Sequence, residues 1–192
     1  MTDDLRRILA YDDAIDPRHG LRELGTDIYA VPFWTPEFCT TVIRAAEAVG
    51  VFEPQPDDPV PGHEVSLAVI SPRLFEHVER DIGVRLWPQL REVWPCIDYY
   101  GLRDVFVIRY APGEQEELRI HHDVAQVSAS VRLNDDYAGA VLEFPRQGVD
   151  TSTIPVGEAV VWPSLVTHPH LATRLERGVK YGLTIWCELP TL

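Results

Sequence analysis

The sequence predicts a mainly β protein with N-terminal helices, an α+β chain whose core is a jelly roll of the cupin-like, double-stranded β-helix kind. Hydrophobic residues recur at helical spacing up to about residue 95 and at strand spacing from residue 103 onward. The second half then breaks into short β-prone runs: DVFVIRY, RIHHDV, QVSASVRL, AVLEF, STIPV, AVVWP and YGLTIWCEL. Turn signals such as APGEQ, NDDYAG, RQG and VGE separate them. That pattern favours closed antiparallel layers over βαβ units.

In chain order, residues 1–25 are polar and rich in Asp and Arg, and read as an arm or lead-in helix. Residues 26–192 read as one domain, with helical support over about 35–95 and the β-helix core over about 103–188. DIYAVPFW (27–34) is a strand candidate. Thr35-Pro36-Glu37 is a helix start with a capping hydroxyl, a proline in the first turn and an early acid. Phe38, Val42, Ile43 and Ala46 continue it, and Gly50 stops it. EPQPDDPVPGHE (53–64) holds four prolines and reads as a lid or binding loop. Ser71-Pro72 opens a second helical stretch through Leu74, Val78, Ile82, Leu86, Leu90 and Val93, with a kink expected near Gly83 or Pro88. Trp87 and Trp94 are expected to cover core beside it.

A net charge of -13 argues against nucleic acid, whose phosphates it would repel, and tilts toward cationic partners. No apolar run approaches the roughly 20 residues of a spanning helix, so no membrane span is expected. The opening MTDDLRRILA lacks a secretory apolar region, and Cys39, Cys96 and Cys187 are odd in number and scattered. Both suit a reducing cytoplasm. A homodimer is left open.

His121 and Asp123 stand one residue apart in a strand-like run, so alternation turns both to one face and His122 to the other. A second cluster, THPHLATRLERGVKY (167–181), holds His168 and His170, again on one face by strand period. Two histidines and a carboxylate on three corners of iron(II) leave three adjacent positions open. Such a centre takes 2-oxoglutarate in two of them and dioxygen in the third. A cation must then meet the distal carboxylate of 2-oxoglutarate. Lys180, ten residues after His170 and two after Gly178, is placed for it, with ligand and cation on neighbouring strands.

VIRYAPGEQEELRIHHD (107–123), VRLNDDYAGAVLEF (131–144), LVTHPHLATRLERGVKY (165–181) and DIYAVPFWTPEFCTTVI (27–43) resemble, in the same order, segments of the C-terminal dioxygenase domain of procollagen-lysyl hydroxylases. Those belong to the prolyl/lysyl hydroxylase branch of the iron(II)/2-oxoglutarate-dependent dioxygenases. The resemblance runs from about residue 25 to 188. It implies that His121 and Asp123 are the proximal metal ligands and His170, rather than His168, the distal one. It also implies that Lys180 pairs with 2-oxoglutarate and that the Tyr110 hydroxyl meets the same cofactor. Lysine stands where lysyl hydroxylases carry arginine and makes a point-charge contact, so Ser128 and Ser130 are candidates for additional donors. Ala138-Gly139-Ala140 replaces a glycine-rich turn and reshapes the cavity mouth. No glycosyltransferase domain accompanies the match, which weakens a collagen-modifying role.

The implied reaction is hydroxylation of an unactivated C–H bond, with succinate and carbon dioxide as co-products. The substrate would be a lysine-like or other amino acid, free, carrier-bound or peptidyl, and basic if the acidity is selective. Asp123 argues against a halogenase, in which a small residue vacates that corner. A zinc hydrolase on the same ligands lacks a placed Glu base and leaves Lys180 unexplained. A non-catalytic metal-binding barrel is the remaining class. Trp162 and Trp186 are expected to wall the pocket. Arg132 faces cofactor or substrate or is a surface cation, and His63 either approaches substrate or is solvated. His122 reads as a half-exposed strand histidine, and His19 and His77 as solvated.

Overall fold

The computed structural model describes residues 10–16, 18, 20–54, 60 and 62–190. His19, the first nine residues of the expected arm and much of the proline-rich loop lie outside them.

Local chemistry sets the helices. Helix α1 (Pro36–Val49) is capped by Thr35, whose hydroxyl accepts from the Phe38 amide, and ends at Gly50. A four-residue helix, α2 (Leu67–Ile70), leads into α3 (Pro72–Asp81), capped by Ser71. Between α3 and α4 (Trp87–Val93) lies a π-helical turn, Ile82–Leu86. The expected kink is this turn. It contains Gly83, and Pro88, which has no amide to donate, follows just after it.

The strands are β1 (Arg22–Gly25), β2 (Ile28–Pro32), β3 (Glu64–Ser66), β4 (Leu102–Tyr110), β5 (Leu118–His121), β6 (Val127–Arg132), β7 (Ala138–Gly139), β8 (Leu142–Phe144), β9 (Val149–Asp150), β10 (Glu158–Pro163), β11 (His170–Ala172), β12 (Leu175–Arg177) and β13 (Lys180–Cys187). A seven-stranded major sheet runs β1-β2-β10-β6-β13-β4-β3, and a four-stranded minor sheet runs β5-β11-β8-β9. β7 and β12 pair only with each other. All ladders are antiparallel, as a double-stranded β-helix requires.

Strand alternation gives the major sheet two different faces. Val105, Val107, Val131, Val161, Leu183 and Ile185 turn toward the helices and form the main core with Phe38, Val42, Leu74 and Leu90. Trp87 and Trp94 lie in that core, as expected. The intervening residues, among them Phe106, Ile108 and Tyr110, line a cavity.

Two sequence expectations change here. STIPV (152–156) is a turn, not a strand: Ile154 donates back to Thr151 and Pro155 cannot donate to a ladder. His77 is not simply solvated, because its ring stacks flat on Tyr11 at 5.2 Å. The described residues before 26 pack into the fold. Tyr11 and Ala14 are each 2% exposed, and β1 extends the major sheet.

Arg85 ties that entry segment to the helices. Its Nε and Nη2 each donate to Asp81 at 2.8 Å, Nη1 donates to the Pro32 carbonyl at 3.2 Å, and Nη2 reaches the Phe33 carbonyl at 3.4 Å. The Tyr11 hydroxyl donates to Asp81 at 3.2 Å and accepts from the Trp34 indole at 3.0 Å. Arg85→Met would leave the Asp81 carboxylate buried without its cation. Urea unfolding is expected to show a loss of about 3 kcal/mol with metal binding unchanged. A loss below ~1 kcal/mol would show that the pair does not hold the entry segment.

Candidate metal and cofactor site

β5 and β11 pair with His121 directly opposite His170, which sets their rings 4.4 Å apart. Asp123 lies two residues past the end of β5 rather than within it. Cross-strand pairing plus a short extension therefore assembles the group, where the sequence suggested alternation along one strand. Asp123 Oδ1 is 3.6 Å from His121 Nε2, and Oδ2 is 3.7 Å from His170 Nε2. The three ligand atoms all lie within 4.8 Å of one another.

The outer hydrogen bonds aim the rings. His121 Nδ1 meets the Arg119 carbonyl at 2.8 Å and His170 Nδ1 the His168 carbonyl at 3.1 Å. Carbonyls only accept, so both Nδ1 atoms carry a proton and both Nε2 atoms are turned toward Asp123. Burial pushes His170 below the usual imidazole range against the pull of Asp123, which favours the neutral ligand form. Asp123 Oδ2 is buried with no hydrogen-bond partner among the described residues. Two imidazole nitrogens and an orphaned carboxylate oxygen converging on one point make a donor set for a cation. Two nitrogens and one oxygen with open sides fit iron(II).

His168 does not join the group. Its Nε2 meets the Thr26 carbonyl at 3.1 Å and its Nδ1 meets the Thr167 hydroxyl at 3.0 Å. His168 ends a 3-10 turn over Leu165–Thr167 and lies outside β11, with Pro169 between, so strand period does not carry across from 168 to 170. His122 is exposed at the cavity rim.

Lys180 opens β13 opposite Tyr110. Its Nζ donates to the Ala140 carbonyl at 2.6 Å and sits 4.9 Å from the centre of the Tyr110 ring. Burial, with help from Arg132, pushes its pKa down to about 8. Among the described residues no carboxylate pairs with it. Ligand and cation are not on neighbouring strands: β11 belongs to the minor sheet and β13 to the major, and β12 carries the chain between them. The metal-facing group and Lys180 line one cavity of about 340 Å³.

No family model matches the chain. A multifunctional procollagen lysine hydroxylase and glycosyltransferase of Caenorhabditis elegans is 26% identical over 194 residues, covering 89% of this chain and 25% of that protein. The chain spans about a quarter of the length of the curated relatives it matches first. A viral collagen prolyl hydroxylase from Paramecium Bursaria Chlorella virus-1, solved with 2-oxoglutarate, superposes with a TM-score of 0.66 at 17% identity, over 86% of this chain and 98% of that one. The chain is thus similar over most of its length to procollagen lysine hydroxylases and shares the fold of a 2-oxoglutarate-binding prolyl hydroxylase. A prolyl hydroxylase from Trichoplax adhaerens, in complex with a hypoxia-inducible-factor peptide, gives a TM-score of 0.66 at 11% identity, over 84% of this chain and 83% of that one.

Within this hydroxylase relative the remaining candidates separate. Tyr110 is buried on the cavity wall, and its hydroxyl makes no hydrogen bond among the described residues. Ser130 lines the cavity, whereas Ser128 is fully buried away from it and bonds the Ser164 hydroxyl at 2.7 Å. The two serines share a strand face, but Ser128 lies between Trp162 and Trp186 and is covered there. Thr184, missed from sequence, stands opposite Ser130 and also lines the cavity. Counting by twos from Lys180 along β13 would have found it.

Arg132 is not a cofactor residue. Its guanidinium donates to the carbonyls of Asn134, Ser152 and Ile154 and stacks on Tyr137. His63 faces Glu114 at 3.7 Å rather than the cavity. Trp162 and Trp186 do wall the pocket. The Ala138-Gly139-Ala140 turn sits under Lys180 rather than only shaping the mouth, since Ala140 supplies the carbonyl that meets the ammonium.

His170→Ala and Asp123→Ala are each expected to cut iron(II) or manganese(II) affinity more than a hundredfold in an equilibrium titration. His168→Ala should keep the wild-type affinity but unfold more easily, by about 1–3 kcal/mol, because it leaves the Thr26 carbonyl without its partner. Equal metal loss in His168→Ala and His170→Ala would overturn the ligand assignment.

Proposed function

We propose that this chain is an iron(II)- and 2-oxoglutarate-dependent hydroxylase acting on an amino-acid residue within a peptide. One observation carries the reading: the His121–Asp123–His170 group and a buried lysine without a carboxylate partner face the same cavity. Neither is explained by the fold, and together they match the needs of a metal-chelating dicarboxylate. When iron(II), 2-oxoglutarate and dioxygen are bound, they supply oxidation of an unactivated C–H bond with release of succinate and carbon dioxide.

In this reading His121, Asp123 and His170 would hold the metal. Lys180 would pair with a carboxylate of 2-oxoglutarate, with the hydroxyls of Tyr110, Ser130 and Thr184 on the same cavity wall as additional donors. Phe144 and Trp162 pack edge-on at 5.0 Å, and Trp162 lies 4.9 Å from His170, keeping water from the buried side of the metal. The peptidyl substrate is supported by the relatives, whose names record procollagen and a hypoxia-inducible-factor peptide.

Lys180 must carry its proton to pair with a dianion. With its ligand-free pKa at about 8, 2-oxoglutarate affinity should weaken above pH 8, by up to about tenfold per pH unit. Stability follows the opposite sense. The buried charge opposes folding below about pH 8, and that penalty fades as pH rises toward the unfolded lysine value. Lys180→Met should lower 2-oxoglutarate affinity at least a hundredfold, by anaerobic calorimetry on the manganese(II)-loaded protein, with metal stoichiometry unchanged. Unaltered affinity in that variant would remove the main support for the proposal.

A further inference from the structure

Of the three metal-facing residues, Asp123 alone lies outside a strand. β5 stops at His121, and the chain runs without ladder pairing through residues 122–126 until β6 begins at Val127. A carboxylate on such a segment meets two fixed imidazoles only if its backbone is tied down. Here it is tied from two sides. On one, the Leu165 amide donates to the Asp123 carbonyl at 3.0 Å and the Ser164 amide to the Gln126 carbonyl at 3.2 Å. On the other, Arg103 Nη1 donates to the Val124 carbonyl at 2.8 Å, and the Gln126 amide donates to the Cys187 carbonyl at 3.0 Å. Of these four bonds, only the one to Val124 comes from a side chain.

Arg103 owes its direction to an irregularity in the major sheet. β4 and β13 pair Asp104 with Trp186 and Leu102 with Cys187, so the register shifts and Arg103 has no residue opposite it. In a regular strand residue 103 would share the face of Val105 and Val107, against the helix-side core. The shift acts as a β-bulge, which frees one side chain from alternation and re-aims it. Arg103 is accordingly exposed, lines the cavity and reaches across to the carbonyl next to Asp123. Asp104, the following residue, keeps to the ladder and faces the cavity opposite Trp186. Leu165 carries strain at the other side of the grip. Its φ of 63° is left-handed and its side chain is 41% exposed, so burial of the leucine does not account for the conformation. Such backbone persists where the surroundings over-determine it, and here its amide is bonded to Asp123.

We propose that Arg103 is a positioning residue for the metal centre: by holding the Val124 carbonyl it fixes the Asp123 carboxylate against His121 and His170. This rests on the metal-binding part of the hydroxylase reading. The sign of the effect separates positioning from plain electrostatics. A guanidinium near a dication repels it, so deleting the charge alone would tighten metal binding. Losing the tether frees Asp123 and weakens it.

The test titrates manganese(II) into the wild type, Arg103→Met, Arg103→Gln and Arg103→Lys, with the free ion read by electron paramagnetic resonance. Amide exchange of the metal-free proteins is followed by NMR. Arg103→Met should bind manganese(II) about tenfold more weakly, the scale on which groups that orient metal ligands act. Its Leu165 amide should exchange several-fold faster than in the wild type, while amides within α1 keep their rates. Arg103→Gln and Arg103→Lys keep a donor on a shorter stem and should recover part of the lost affinity. An affinity in Arg103→Met equal to the wild type or tighter, or equal losses in all three variants, overturns the proposal. Earlier melting with metal affinity and Leu165 exchange unchanged overturns it too, since Arg103 would then only stabilise the fold. If the wild type takes up no manganese(II), the hydroxylase reading fails instead, and the metal-free exchange still decides whether Arg103 orders the Asp123 segment.

Discussion

Between His170 and Lys180 the chain must leave the minor sheet and enter the centre of the major one. The short pairing of β12 with β7 makes that crossing, and both halves of the site hang from it. Gly139 and Gly178 adopt positive φ, each near 77°. A Cβ on Gly139 would lie 2.2 Å from the Arg174 carbonyl, and one on Gly178 would lie 2.6 Å from the Asp136 carbonyl. Only glycine allows backbones to approach so closely in that conformation. Ala140, also at positive φ, then points its carbonyl at the Lys180 ammonium. The same joint thus fixes where β13 begins and gives its first side chain a hydrogen bond.

The arrangement is costly where it is chemical. Asp123 carries an orphaned carboxylate oxygen, Lys180 a buried charge without a carboxylate, and Trp162 and Trp186 buried indole N–H groups without partners. Each is unfavourable in a low-dielectric interior. The opposite face of the major sheet offsets this with a core of aliphatic and aromatic side chains packed under α1, α3 and α4. Strand alternation keeps the two environments one residue apart without mixing them. Val131 and Leu183 are fully buried on the helix side, while Ser130 and Thr184 beside them open to the cavity.

What the sequence made legible follows the range of each interaction. Helix α1 was readable because its cap, first-turn proline and stop lie within the element. The major-sheet strands were readable because each is long enough to show a period. β11 and β12 were not, since three residues show no period and Pro169 interrupts the run. Strand period could not separate His168 from His170 either, and the resemblance to lysyl hydroxylases had to choose between them. His168 belongs to the end of the 3-10 turn at Leu165–Thr167 and His170 to β11, a boundary invisible to periodicity. Ser128 was misplaced for a related reason: a face is local, but which end of it opens to a cavity depends on what packs across.

Register extends this logic to Asp104. In sequence it is one acid among 30, six positions before Tyr110, with nothing to mark it. Once β4 is aligned with β13, the pairs Tyr110–Lys180 and Asp104–Trp186 fall at opposite ends of one wall. A cation and a carboxylate in the same cavity would ordinarily neutralise each other. Two paired strands hold them apart, so neither can relax onto the other. The length of the β4–β13 ladder therefore does more than stabilise a sheet: it sets the distance between Lys180 and Asp104 along one cavity wall.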